Sequence, residues 1–168
     1  MPPQAPCPHP LPPPSVPAAA PPRVPSSAPS SAPSSEVEQG LRRAVLALKQ
    51  ASPRGRLAPV VWAGLPSAEE PGAVCSFQPE EHRLDHDTRL EAAVALAHRV
   101  VPKVEAPMLW LTRSGDLEPT SSDLRWQAAA VAAWQEVGLA PSFAVLTRHG
   151  WRHHPSGAER RWRRLRQR

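Results

Sequence analysis

Apolar residues recur along this chain with two different periods, and the switching between them predicts an α/β domain. Val37, Leu41, Val45 and Leu48 share one face of a helix running to about Gln50. Ser35 and Glu38 open it with the Ser-x-x-Glu spacing of a capping box, and Ser52-Pro53-Arg54-Gly55 closes it. Leu57 to Ala63 and Ala73 to Phe77 read as two strands, and the Gly-, Pro- and Glu-rich stretch between them suits an antiparallel hairpin. Leu90, Val94, Ala97 and Val101 mark a second helix over 87–101, with Asp85 or Asp87 as its N-cap and Pro102 as its end. Residues 107–112 form a short apolar strand. A third helix follows, opened by Thr120-Ser121-Ser122-Asp123, carrying Trp126, Ala130, Ala133, Trp134 and Val137, and ended by Gly138. Residues 142–147 are a further buried strand, and Pro155-Ser156-Gly157 suits a last hairpin.

The third helix lies between the strands of Trp110 and Phe143, which is a βαβ crossover and predicts a parallel pair. The expected fold over 35–168 is therefore a single small α/β domain, a mixed sheet flanked by about three helices. Residues 1–34 differ from it in kind. They are almost entirely Pro, Ala and Ser with Arg23 as the only formal charge, too little apolar surface to offset the entropy of ordering, and they predict a disordered, proline-rich arm. Pro10-Leu11-Pro12-Pro13-Pro14 is suited either to a spacer or to an aromatic groove that reads polyproline II.

Composition adds three constraints. The chain has no tyrosine and two phenylalanines, so its six tryptophans must supply most of the aromatic bulk. Trp126 and Trp134, eight residues apart, are either core or a face turned to a partner. Cys7 and Cys75 make no disulfide framework, no signal peptide or membrane span is legible, and the expectation is a soluble cytoplasmic protein with no membrane partner.

The net charge of +5 is a local feature, because residues 148–168 carry eight arginines against one acid, Glu159, while the rest is slightly acidic. Arg160, Arg161, Trp162, Arg163, Arg164 and Arg166 combine cations with an interleaved indole, on either a helical face or an edge strand. Such a surface attracts nucleic-acid phosphates or an acidic protein, with Trp151 or Trp162 placed to stack on bases. A solvated basic terminus without a ligand has the same composition.

Trp110-Leu111-Thr112-Arg113-Ser114-Gly115-Asp116-Leu117-Glu118-Pro119-Thr120-Ser121-Ser122-Asp123 is the most specific segment. Within residues 85–147 it resembles the JAB/MPN metalloproteins, in particular the RadC-type branch, whose His-x-His at a strand end precedes Pro-Ser-Gly-Asp-x-x-Pro-Ser-x-x-Asp at a helix start. Ser114, Gly115, Asp116, Pro119 and Asp123 match, and Asp123 falls on the family's zinc-binding aspartate. The two histidine positions hold Trp110 and Thr112, and Thr120 replaces the motif serine. The resemblance thus implies a degenerate relative with no metal or other cofactor, and a polar loop site at Ser114, Asp116, Thr120 and Asp123. The alternative is residual metal or hydrolytic activity. His82 and His86, four apart, are the candidate metal pair, with His149, His153 and His154 as distant complements. No Walker, Rossmann or Gly-x-Ser-x-Gly motif is present, so catalysis has no positive signal. The function expected is a non-catalytic binding or interaction domain using its arginine-rich C-terminal surface.

Overall fold

The computed structural model describes residues 33–51, 56–66, 72–79 and 84–162. Within them lies one α/β domain: α1 (Ser35–Ala51), β1 (Val60–Gly64), β2 (Val74–Phe77), α2 (His86–Val100), β3 (Met108–Thr112), α3 (Ser121–Glu136), β4 (Phe143–Thr147), β5 (Gly150–His154) and β6 (Glu159–Arg161). Pro10–Pro14 and almost all of the predicted arm lie outside the described residues, as do Cys7, His82, Arg163, Arg164 and Arg166. Among the described residues no helix is long and apolar enough to cross a membrane.

The six strands form one mixed sheet in the order β2-β1-β3-β4-β5-β6. Only β3 and β4 pair in parallel, as the crossover through α3 requires, and the other neighbours are antiparallel. The period-two alternation sorts side chains to two faces. Val61, Ala63, Leu109, Leu111, Phe143 and Val145 pack under α2 and α3. Met108, Trp110, Ala144, Leu146 and Trp151 pack against Leu41 and Val45 of α1. Three layers result, with the sheet in the middle.

Several expectations shift for local reasons. Ser34, not Ser35, caps α1: its Oγ accepts from Val37 N at 3.3 Å and its carbonyl from Glu38 N at 3.0 Å. The first strand begins at Val60, since Leu57 is engaged by Ser114 instead of a neighbouring strand. The inner line of α2 is Arg89, Ala93, Leu96, Ala97 and Val100, while Leu90, Val94 and Val101 are only half-buried. Small residues decide this rotation, for Ala93 and Ala97 share a cluster with Ala129, Ala130 and Ala133 and let two helices approach closely. Trp126 and Trp134 are both core residues, 2% and 0% exposed, so neither faces a partner.

At the C-terminal edge, β5 and β6 form the last hairpin around residues 155–158, and the described part of the basic segment is an edge strand. Gly150 is where this edge meets the rest: a Cβ there would stand 1.9 Å from Arg160 O and 2.8 Å from Leu117 Cδ1. Only a residue without a side chain lets β6 and the loop after β3 converge on β5. Gly150→Ala should therefore cost about 1–3 kcal/mol in urea unfolding through forced displacement of backbone. A cost near zero would show that β6 is not seated as described.

Candidate functional site

The loop from Arg113 to Thr120 joins β3 to α3 and centres on one arginine. Asp123 has no exposed surface. Arg113 meets it side-on, with Nε donating to Oδ1 and Nη2 to Oδ2, each at 2.7 Å. Its other N–H groups donate to backbone carbonyls, Nη1 to Ser114 O at 3.0 Å and Asp116 O at 2.7 Å, and Nη2 also to Glu118 O at 2.9 Å. All five donors of the guanidinium are thereby satisfied. Arg152 from β5 adds a second cation, 3.7 Å from Asp123 Oδ2, and donates to Leu117 O at 3.3 Å.

The remaining polar residues of the loop support this arrangement. Thr120 and Asp123 form a capping box at the start of α3, with Asp123 N donating to Thr120 Oγ1 at 3.2 Å and Thr120 N to Asp123 Oδ2 at 3.0 Å. Asp116 is exposed and accepts from Glu118 N through Oδ1. Ser114 Oγ accepts from Leu57 N at 2.6 Å and donates to Leu57 O at 3.1 Å, tying the loop to the segment before β1. Gly115, at φ +90°, makes the turn that carries the chain around the guanidinium.

Electrostatics agree with the geometry. Burial alone would raise the Asp123 carboxyl, but hydrogen bonds from Arg113 and Thr120 together with the Arg113 charge outweigh it and hold the group below its usual range. His153, buried between Ser142 and Ser156, is pushed down by desolvation and then by His154.

The predicted site residues separate into groups. Ser114, Asp116, Thr120 and Asp123 do share one loop, but as a structural network around Arg113. Trp110 and Thr112, at the family's histidine positions, point to the α1 face: Trp110 stacks on Trp62, with centroids 6.2 Å apart and planes 8° apart. Thr112 Oγ1 accepts from Trp62 Nε1 and donates to Val60 O. Asp123 begins a helix packed on the opposite face. Zinc requires three or four N, O or S ligands at about 2 Å. Here the candidate aspartate already accepts two hydrogen bonds from the Arg113 guanidinium and one from a backbone amide, with Arg152 as a second cation 3.7 Å away, so the residues present do not fit a metal. Among the described residues no three His, Cys, Asp or Glu side chains gather as metal ligands. His86 is an exposed first residue of α2, and the sheet register puts His154 toward the other end of the strands.

In the basic segment, Arg160 and Arg161 are exposed, 63% and 48% at the side chain, with partners Glu38, Glu118 and Glu159. Those two acids beside Arg161 raise its pKa further. Trp162 leans onto the α1-face cluster and its N–H donates to His149 O at 2.7 Å. Trp151 is buried to 1% exposure and offers no free face to a base. A cavity of about 420 Å³ lies between α1 and the sheet, with Leu48, Leu57, Val60, Trp62 and Trp110 in its walls and no charged side chain among the described residues lining it.

Arg113, Arg152 and Arg89 were not legible as site residues. Arg89 alone had a signal in the chain, since it stands on the same helical line as Ala93, Leu96 and Val100. Comparison of the chain with models of known families, with curated proteins and with solved structures finds no match.

Two outcomes check the network. Asp123→Asn leaves two cations without their counter-charge and should cost about 3–5 kcal/mol in urea unfolding. A loss under about 1 kcal/mol would deny the ion pair its structural role. For pH, the folded pKa of His153 lies below the usual ~6.5, so the unfolded chain protonates first and stability falls as pH drops below that value. The Asp123 contribution is complete above about pH 4 and is lost as pH falls through its lowered folded pKa. Thermal midpoints from pH 8 to 3 should therefore fall in two stages, and His153→Gln should remove the first alone.

Proposed function

We propose that this chain is a cytoplasmic, non-catalytic binding module, a degenerate relative of the JAB/MPN metalloproteins, that holds a polyanion on its basic C-terminal edge. The observation that carries the reading is β6: an edge strand of three exposed residues, Glu159–Arg161, that presents Arg160 and Arg161 to solvent and continues in sequence into Arg163, Arg164, Arg166 and Arg168. Among the described residues, Arg161 pairs with the exposed carboxylates of Glu118 and Glu159, and Arg160 stands 4.0 Å from the half-buried Glu38. Ion pairs of that kind are screened and weak, so phosphates or the acidic residues of another protein exchange for them readily.

The non-catalytic half of the reading is supported by Asp123, whose carboxylate accepts hydrogen bonds from Arg113 and Thr120 and is ion-paired with Arg152 as well. A hydrolytic alternative would need that carboxylate free and two further ligands beside it. No observation favours it.

Binding of a labelled single-stranded oligonucleotide, followed by anisotropy, tests the proposal. If about four phosphates are neutralised, affinity should fall roughly fiftyfold between 50 and 200 mM salt. Removing residues 163–168 and introducing Arg160→Glu and Arg161→Glu should abolish binding while leaving the unfolding midpoint within a few degrees. Binding that is insensitive to salt, or absent for both the oligonucleotide and an acidic polypeptide, would overturn it.

A further inference from the structure

The first turns of α2 and α3 stand side by side at one end of the sheet, because both helices follow strands that run in the same direction and pack on the same face. Between them is a cavity of about 250 Å³. Pro59, Leu84, Ser122 and Trp126 form its walls, and Arg89 and Arg125 contribute its charge. No predicted site residue lines it, and it is separate from the basic segment at β6.

Arg89 is the unusual member. It is 8% exposed, yet among the described residues it has no carboxylate within ion-pair distance, and Nη1 donating to Asp85 O at 2.9 Å is its one hydrogen bond. Its Nε is buried without an acceptor. The Trp126 ring, with its centroid 6.0 Å from the guanidinium carbon, lies at the outer limit of a cation–π contact. Desolvation and the charge of Arg125 both press the Arg89 pKa down, and Asp85 offsets them only in part. Asp85 itself has its side chain turned to Thr88 N as the helix cap. A largely buried cation with one protein acceptor and its Nε shut away unanswered is the reverse of Arg113, and a buried arrangement of that kind is costly unless something negative completes it. The ends of two helices add to the demand, since amides in a first turn have no acceptor inside the helix and carry its positive pole.

We propose that this cavity binds a phosphate group, free or as the terminal monoester of a larger ligand, with Arg89 as the buried anchor and Arg125 as the exposed second cation. The match is one of chemistry: a compact, multiply charged oxyanion offers acceptors to both guanidiniums and to the adjoining helix end at once. The apolar walls, Trp126 and Leu84 among them, give the body of a monoester a place to lie. This site is independent of the polyanion surface and would stand if that surface bound nothing.

Titration of the full chain with inorganic phosphate and with phenyl phosphate, at ionic strength held constant with sodium chloride, tests it by nuclear magnetic resonance. Saturable shifts should appear at the backbone amide of Ser122 and the Nε–H of Arg89, with tighter binding of one probe over the other identifying a free or an esterified ligand. Arg125→Gln, at an exposed position, should weaken binding about tenfold, the loss of one charge-assisted contact. Arg89→Met should abolish binding and, by removing an unanswered buried charge, should not lower the midpoint of the ligand-free protein. Deleting residues 163–168 should leave the shifts unchanged. Shifts that do not saturate, that spread over all exposed arginines, that survive Arg125→Gln at full affinity, or that vanish with the deletion would each overturn the proposal.

Discussion

The bidentate pair of Arg113 and Asp123 is the interaction on which the rest of this end of the molecule depends. A buried carboxylate without a partner is costly, and one neutralised by a single charge still leaves lone pairs to satisfy. Here the guanidinium also collects three carbonyls of the loop that follows β3, so the loop folds around the arginine as it would around a bound cation. Leu117 is carried inward to Gly150, Ser114 is brought to Leu57, and Thr120 is set to cap α3. One pair of side chains thus connects the segment before β1 with β3, α3 and β5.

The same interaction bears on the resemblance to JAB/MPN proteins. The residues that carry the likeness, Ser114, Gly115, Asp116, Pro119 and Asp123, lie in a turn and a helix start, and Arg113 supplies the positive charge beside the buried carboxylate. That pairing is physically coherent without a metal, because a buried carboxylate at a helix N-terminus needs a cation or several donors and here has both. Trp110 and Thr112, which fall where the RadC-type pattern has histidines, are committed elsewhere. Trp110 stacks on Trp62 across β1 and β3, and Thr112 closes a hydrogen-bonded chain from Trp62 to Val60. Both belong to the α1 face and its packing.

The fold was largely legible in the chain because its strongest signals are local. Strands 108–112 and 143–147 are short apolar runs buried at every position, and the parallel pairing follows from the helix between them. The capping box at Thr120 and Asp123 was readable for the same reason. What escaped were the features decided by contact. The rotation of α2 depends on alanines of α3, residues far away in sequence. Arg113 and Arg152 look like ordinary surface arginines until the fold withdraws them, Arg113 fully and Arg152 in part. Ser114, Asp116, Thr120 and Asp123 do lie in one loop, but the residue at its centre, Arg113, was not legible, since Ser, Asp and Thr announce turns and caps while an arginine in a loop announces nothing.

Comparing the two buried arginines gives the clearest view of where this protein has chemistry left over. Each stands where a helix begins, and each is largely withdrawn from solvent. Arg113 has matched every donor to an acceptor within the chain, so its energy is already expressed as structure, and a ligand could only compete with it. Arg89 has one acceptor, a neighbouring cation and an aromatic face, so the fold has left its donors for something else to answer. An unsatisfied buried group lowers stability by an amount a bound partner recovers, and that recovery adds to affinity. The polar loop therefore works as scaffold, and the binding capacity of this face lies one helix away, at a position where the chain shows an arginine on an apolar line.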